Sequence, residues 1–316
     1  MHSVEFCTGA GGQALGLEQA GFDHVACVEL DPNCCETLRL NRGGKWNIIE
    51  KDLRDWSGRS FKGADLLAAG LPCPPFSKAG KQLGENDERN LFGIAVDRID
   101  EIRPKAVMIE NVRGIMDAVF DDFRSKFKQQ VEKMGYRADW RLLNASDFGV
   151  PQLRPRVIFV AIKKAHWANF HWPEPQAKKA PTVGETLLDL MKSKGWKGAD
   201  AWAELANEIA PTLVGGSKKH GGPDLGPTRA KKAWAALSVN GHTLADNVPE
   251  KTFEGMPRLT VRMAARIQGF PDDWQFHGKK TAAYRQVGNA FPPPVARAVG
   301  DKVRLAIGKR RLFAVA

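Results

Sequence analysis

The chain has 316 residues, 43% of them hydrophobic, enough for a large α/β unit and a smaller companion. Lys and Arg total 47 against 36 acidic residues, a net charge of +11 that points to a polyanionic partner. The five cysteines form no C-x-x-C pair, no apolar run reaches the length of a membrane span, and Met1-His2-Ser3-Val4-Glu5 is not a basic leader. A disulfide framework, a zinc ribbon, secretion and membrane insertion are therefore not expected, and a reduced, cytoplasmic setting is.

Ser3 to Thr8 reads as a strand, Gly9-Ala10-Gly11-Gly12 as a tight loop, and Gln13 to Ala20 as a helix with Leu17 and Ala20 on one face. A Gly-rich turn after a first strand lets the backbone approach a ligand and aims helix N–H groups at it. This Gly-x-Gly-Gly lacks the third spaced glycine that suits a pyrophosphate, and no Walker lysine follows. An adenosine ligand without a phosphate chain, such as S-adenosylmethionine, fits better than NAD or ATP. His24 to Glu29 is a second strand, and Glu29 at its end is placed to accept from ribose hydroxyls. Asp31-Pro32 reads as the cap and first turn of a second helix. Asn47 to Glu50 is a third strand, and Asp52 beyond it is placed to receive an adenine amino group.

Asp65 to Ala69 is an apolar strand that runs into Leu71-Pro72-Cys73-Pro74-Pro75-Phe76-Ser77. Prolines on both sides break regular structure there, so the Cys73 thiol is held at the end of a strand rather than packed away. A thiolate so fixed suits attack on an electrophilic carbon. The polar stretch from Ser77 to Asn90, with Gly80, Lys81, Gln82 and Gly84, is long enough to close over a substrate. Leu91 to Ile102 reads as a helix and Ala106 to Ile109 as a strand ending in the carboxylate of Glu110, at the same sheet edge as Cys73. Phe123 to Met134 is a further helix. Tyr136 to Asn144 and Arg156 to Ile162 form an antiparallel pair, entered through Gln152-Leu153-Arg154-Pro155-Arg156, whose two arginines could face one side and bind a carbonyl, a phosphate or Glu110.

Alternating strands and helices imply a doubly wound, mostly parallel α/β sheet of the Rossmann-like kind. Beyond Lys163 the chain turns rich in Gly, Pro, Lys and Trp, and its periodicity fades as far as Arg258. That change marks a second, smaller, loop-rich domain. Pro294 to Ile307 is helical again. Lys218, Lys219, His220, Arg229, Lys231 and Lys232 give the second domain the charge to meet a polyanion.

Taken in order, these residues resemble the DNA cytosine-5 methyltransferase family, of bacterial or phage type. Pro72-Cys73 with Phe76-Ser77 looks like the family's nucleophile loop, and Glu110-Asn111-Val112 like its partner motif. Gln152-x-Arg154-x-Arg156 matches its Gln-x-Arg-x-Arg. Arg262 through Gln268-Gly269-Phe270-Pro271 resembles the motif bordering the recognition domain, and Gly288-Asn289 the late motif that returns to the cofactor pocket. The resemblance implies an S-adenosylmethionine-dependent fold with a catalytic domain over 1–163, completed by 286–316, and a target-recognition domain over 164–285. It implies site-specific methyl transfer from S-adenosylmethionine, which leaves S-adenosylhomocysteine, to C5 of a flipped-out cytosine in duplex DNA through a covalent bond to Cys73.

Glu110, Arg154 and Arg156 would complete the catalytic set. Phe6, Cys7, Gly9, Ala10, Gly11, Gly12, Glu29, Leu30, Asp52, Leu53, Pro72, Leu91, Asn289 and Ala290 would line the cofactor site. Ser77, Lys81, Gln82, Lys218, Lys219, Arg229, Lys231 and Lys232 would meet DNA. The expected partners are duplex DNA and a cognate restriction endonuclease, with the chain itself monomeric and no metal. One departure stands out: the family's Asp-Leu-Phe-x-Gly-x-Gly-Gly is here Glu5-Phe6-Cys7-Thr8-Gly9-Ala10-Gly11-Gly12, so Cys7 stands where a phenylalanine stacks on adenine. Ala290 follows Asn289 where serine is frequent. The rival readings are an RNA cytosine-5 methyltransferase and a silent DNA-binding homologue, which the intact Cys73, Glu110 and Arg156 set disfavours.

Overall fold

The computed structural model describes residues 1–72, 91–217 and 221–308. The expected nucleophile Cys73, the loop residues Ser77, Lys81 and Gln82, and Lys218, Lys219 and His220 lie outside the described residues.

Seven strands form one sheet: β1 (His2–Phe6), β2 (Asp23–Glu29), β3 (Ile48–Glu50), β4 (Leu66–Gly70), β5 (Ala106–Val112), β6 (Tyr136–Asn144) and β7 (Pro155–Lys163), in the order β3-β2-β1-β4-β5-β7-β6. The first five are parallel, and β7 inserts antiparallel between β5 and β6. The doubly wound, mostly parallel sheet expected from the strand–helix alternation is therefore present, and β6–β7 is the expected antiparallel pair.

Both faces are covered, and the two-residue period of the strands sorts their side chains between them. Val4, Phe6, Leu67, Ala69, Val107, Ile109, Val157 and Phe159 pack on one side with Phe92 and Ile99 of α3 (Phe92–Ile102) and Phe127 of α4 (Asp121–Lys133). Leu66, Ala68, Ala106, Met108, Ile158 and Val160 pack on the other with Leu17 of α1 (Gly12–Gln19) and Val295, Val299 and Val303 of the last helix, Pro293–Gly308. The second helix, α2 (Pro32–Arg42), starts as expected: Pro32 opens it, and the Asp31 side chain accepts from the Asn33 N–H at 2.9 Å.

The segment after β7 is more helical than its composition indicates. It carries α5 (Lys164–Trp167), α6 (Val183–Lys192), α7 (Ala199–Leu205), α8 (Thr228–Ala235), α9 (Val261–Ile267) and α10 (Lys280–Asn289), with α11 (Pro293–Gly308) closing the chain. A capping box starts α6, the Thr182 hydroxyl accepting from Glu185 N–H while the Glu185 carboxylate accepts from Thr182 N–H. Tryptophans at 196, 202, 234 and 274 build the core of this segment, and that core is continuous with Leu15 of α1, Leu38 of α2 and Trp46. The chain's change of character near 163 is thus not a break in packing. Trp274 reaches furthest, its indole N–H donating to the Ala10 carbonyl in the Gly-rich turn at 3.2 Å. Among the described residues no helix is long and apolar enough to cross a membrane, and Cys7, Cys27, Cys34 and Cys35 are unpaired.

Candidate active site

One cavity of about 560 Å³ lies at the carboxyl edge of β1, β2, β4 and β5, where open α/β sheets bind ligands. At one end it is bounded by Cys7, Gly9, Ala10, Gly12, Glu29 and Leu30, with Asp52 and Leu53 beside them. Pro72, Leu91, Asn289 and Ala290 also line it, and at the other end so do Glu110 and Arg156. Nearly all the residues expected at the two sites thus share one continuous space.

Three expected site residues do not reach it. Phe6 is wholly buried and packs edge-on against Trp56 with ring centroids 5.2 Å apart, because the strand alternation turns it into the core under α3. Gly11 has φ +83° and faces away from the cavity: a Cβ there would lie 2.7 Å from a Leu38 methyl and 2.9 Å from the Trp274 ring. Arg154 is 0% exposed. It points away from Glu110 and Arg156 into a buried network of carbonyl and amide oxygens, so it cannot touch a substrate, and the expectation that both arginines face one side fails.

Glu29 does not stand free at its strand end. Its carboxylate accepts from Gly9 N–H at 2.7 Å and from Leu30 and Asp31 N–H at 2.8 and 2.7 Å, tying the Gly-rich turn to the end of β2. Burial pushes it above the usual carboxylate range, against the pull of these hydrogen bonds. Asp52 is held ionised by Arg54, whose Nε and Nη2 lie 3.0 and 2.6 Å from its two oxygens. Cys7 takes the left-handed conformation at φ +50°. Burial and the negative charges of Glu29, Asp52 and Glu5 push its thiol far up, so it sits in the cavity as a neutral, weakly polar surface rather than a nucleophile.

At the other end the antiparallel register decides the geometry. Val112 lies opposite Arg156, and Glu110 two residues earlier on β5 shares that face. Such diagonal neighbours are within reach of long side chains, and Arg156 Nε lies 2.8 Å from Glu110 Oε1 as an ion pair, each side chain 12% exposed. Burial pushes Glu110 up from the usual carboxylate range, with Arg156 and then Arg154 pulling the other way. A carboxyl whose proton affinity is raised by burial is suited to hold a proton and deliver it to a ring nitrogen. Asn111, 2% exposed, turns to the other side, donating to the Leu71 carbonyl at 3.1 Å and accepting from Val112 N–H at 2.9 Å. It clamps β5 to the backbone that leads into residue 73.

The cavity has further walls that the sequence reading left out. Glu5, between Val4 and Phe6 on β1, is 1% exposed, and neither of its oxygens has a hydrogen-bond partner among the described residues. Gln13 beside it is in the same condition. Burial drives Glu5, which lines the cavity, well above the usual carboxylate range. Arg285 lines the cavity one helical turn before Asn289, a spacing on α10 that could have revealed it. Away from the cavity, Arg229 and Lys232 on α8 are exposed, whereas Lys231 is engaged by Asp224 at 3.2 Å. Among the described residues no cluster of side chains could hold a metal ion.

The family model for C-5 cytosine-specific DNA methylases matches residues 1–304. The chain is 54% identical to the Type II methyltransferase M.NgoMIV of Neisseria gonorrhoeae, over 97% of this chain and 98% of that one. It is 55% identical to the Type II methyltransferase M.NaeI of Lentzea aerocolonigenes, over 96% of this chain and 75% of the other. Among solved structures, a DNA modification methyltransferase encoded within an Escherichia coli prophage superposes with a TM-score of 0.70 at 23% identity, covering 98% of this chain and all of that one. The fission yeast (S. pombe) Dnmt2 methyltransferase superposes with a TM-score of 0.66 at 16% identity, covering 96% of this chain and 98% of the other, a likeness of fold. The chain belongs to the C-5 cytosine-specific DNA methylases.

Proposed function

We propose that the chain methylates C5 of a cytosine flipped out of duplex DNA at a specific site, using S-adenosylmethionine. The observation that carries the reading is the continuity of one cavity from the Gly-rich turn to the Glu110–Arg156 pair. It gives a methyl donor and a base adjoining places in one space.

The residues present fit the donor. Gly9 allows close backbone approach, Glu29 offers its remaining lone pairs to ribose hydroxyls, Leu30 and Leu53 offer apolar surface, and Asp52 offers an acceptor to the adenine amino group. Cys7 leaves the adenine face without the family's ring, so Leu30, which is 59% exposed, and Leu53 carry that contact. The donor, when bound, supplies an electrophilic methyl on a sulfonium.

On the substrate side, the Cys73 thiolate adds to C6 of the base while Glu110 gives a proton to N3. The electron pair released into the ring makes C5 nucleophilic. After C5 has gained the methyl it loses its proton to solvent, the Cys73–C6 bond breaks to release the thiolate, and N3 returns its proton to Glu110, which restores the ring. Arg156 orients Glu110 and offers its remaining donors to the base. Extruding the base costs a few kcal/mol. The basic excess and the segment 164–285 supply the duplex contacts, with affinity falling steeply as salt rises. The names of the two relatives above place them in Type II systems; the chain is read accordingly as a monomeric modification enzyme working beside a cognate restriction endonuclease.

The test is methyl transfer from labelled S-adenosylmethionine to plasmid DNA and, in parallel, to RNA, followed by base-resolution mapping of 5-methylcytosine. Transfer to DNA that is lost in Cys73→Ala supports the reading. Transfer confined to RNA, or undiminished in Cys73→Ala, overturns it.

A further inference from the structure

We infer that Arg154 is a positioning residue of the methyl-donor pocket: its buried guanidinium fastens the 213–216 segment to the C-terminal turn of α10 and so holds the Asn289–Ala290 wall in place. The inference rests on the assignment of that cavity to the donor.

Arg154 Nη2 donates to the Gly288 and Ala290 carbonyls at 2.7 and 3.0 Å, and Nη1 to the Leu213 carbonyl at 2.9 Å. The carbonyls at a helix C-terminus lack intrahelical partners and carry partial negative charge, so a cation there is favoured and its burial is offset. Arg remains a cation even when buried. Its planar fork reaches carbonyls from two separate segments at once, which the point charge of a lysine does poorly.

The contact it fastens is backbone against backbone. A Cβ on Gly288 would lie 2.5 Å from the Gly215 Cα and N, and a Cβ on Gly215 would lie 2.6 Å from the Arg285 carbonyl and the Asn289 Oδ1. The Asn289 side chain closes the joint by donating to the Gly216 carbonyl at 3.1 Å. Gln152 completes it from within, accepting from Leu213 N–H at 2.9 Å and donating to Gln268 Oε1 at 2.6 Å, while Gln268 donates to the Ala290 carbonyl. Asn289 and Ala290 line the cavity; the residues that fix them do not.

Two variants test this, Arg154→Lys and Gly215→Ala, the second leaving the guanidinium untouched. S-adenosylhomocysteine binding is measured by calorimetry below each variant's melting transition, and single-turnover methyl transfer to plasmid DNA at saturating donor. Each variant is expected to weaken S-adenosylhomocysteine binding about tenfold, the size of one lost charge-assisted hydrogen bond. KM for the donor should rise in step, and the saturated rate should change by less than about threefold. Folded variants whose donor affinity stays within about twofold of the parent, whether or not the saturated rate falls, overturn the inference. If Arg154→Lys does not fold, Gly215→Ala decides alone. A parent protein that bound no S-adenosylhomocysteine would overturn the donor assignment, and the inference with it.

Discussion

Replacing Glu110 by Gln separates the two jobs of that side chain, holding Arg156 and holding a proton. Gln keeps an oxygen in place of Oε1, 2.8 Å from Arg156 Nε, and removes only the charge and the acidic proton. The carboxyl is already pushed by burial toward its neutral form, so an amide is electrostatically close to the state that the reaction uses. Stability should therefore change by about 1 kcal/mol, the scale of one buried polar contact. The rate should fall much further, by roughly 10²–10⁴, the usual contribution of a positioned general acid. Arg156→Met makes the complementary change. It leaves a buried carboxyl without its cation, and because that carboxyl can neutralise, the cost should stay below about 3–5 kcal/mol, the figure for a stranded buried charge. Loss of the Arg156 charge also takes away the largest influence that lowers Glu110, so its pKa rises further. The acid form then persists to higher pH, and the alkaline fall of the residual single-turnover rate should move upward. The assay is single-turnover transfer of labelled methyl to plasmid DNA across pH 6 to 9, beside thermal melts of each variant. A folded Glu110→Gln protein within about threefold of the parent rate would refute the proton-donor role.

Three further outcomes are expected. His24 is buried between Ser3 Oγ, 3.0 Å from its Nδ1, and the Ala14 carbonyl, 2.8 Å from its Nε2, and burial lowers it to about 4 from 6.5. Stability from this site is complete above about pH 6.5 and is lost as pH falls toward 4, up to roughly 3 kcal/mol; urea melts at pH 7 and 4.5 should show that slope, and His24→Gln should flatten it. Glu5 has the opposite sign: its raised value means that stability falls as pH climbs from the unfolded carboxylate range toward the folded one. Glu5→Gln should accordingly gain thermal stability over the parent between pH 5 and 8, and an unchanged difference across that range would argue that Glu5 is solvated. Asn111→Ala removes the bonds to the Leu71 carbonyl and Val112 N–H. It should cost about 1–2 kcal/mol and slow trapping on a 5-fluorocytosine duplex, read on denaturing gels, while S-adenosylhomocysteine affinity stays as in the parent.

What was legible in the chain was whatever depends on local pattern. The buried strands β4, β5 and β7 were readable as short apolar runs, and Asp31-Pro32 marked a helix start through its own capping chemistry. Site residues at strand ends, Glu29, Asp52 and Glu110, were found because topology alone delivers them to one edge. What escaped depends on partners distant in sequence. Nothing local says that Arg154 serves the carbonyls of residues 213, 288 and 290 while Arg156, two places on, serves Glu110. Phe6 and Glu5 change roles across a single step of strand alternation, one to the core under α3 and the other to the cavity floor. The helices after residue 163 were hidden by Gly, Pro and Lys between them, although Thr182-x-x-Glu185 is a readable capping box.

The reversed strand explains why this sheet edge suits the chemistry. In a wholly parallel sheet each strand leaves the ligand edge through its carboxyl end, so a side chain entering from a neighbour must come from a loop. Inserting β7 antiparallel beside β5 brings the first residues of β7 to the edge where β5 ends. Arg156 then sits in a hydrogen-bonded ladder opposite Val112, and its reach to Glu110 is set by register rather than by loop conformation. The same reversal places Gln152 and Arg154, just before β7, against the 213–216 segment and the end of α10. A single topological exception thus fixes both the Glu110–Arg156 pair and the Asn289–Ala290 wall of the cavity. A proton donor that must act only on a correctly seated base needs that rigidity, because a misplacement of about 1 Å costs on the order of 10²-fold in rate.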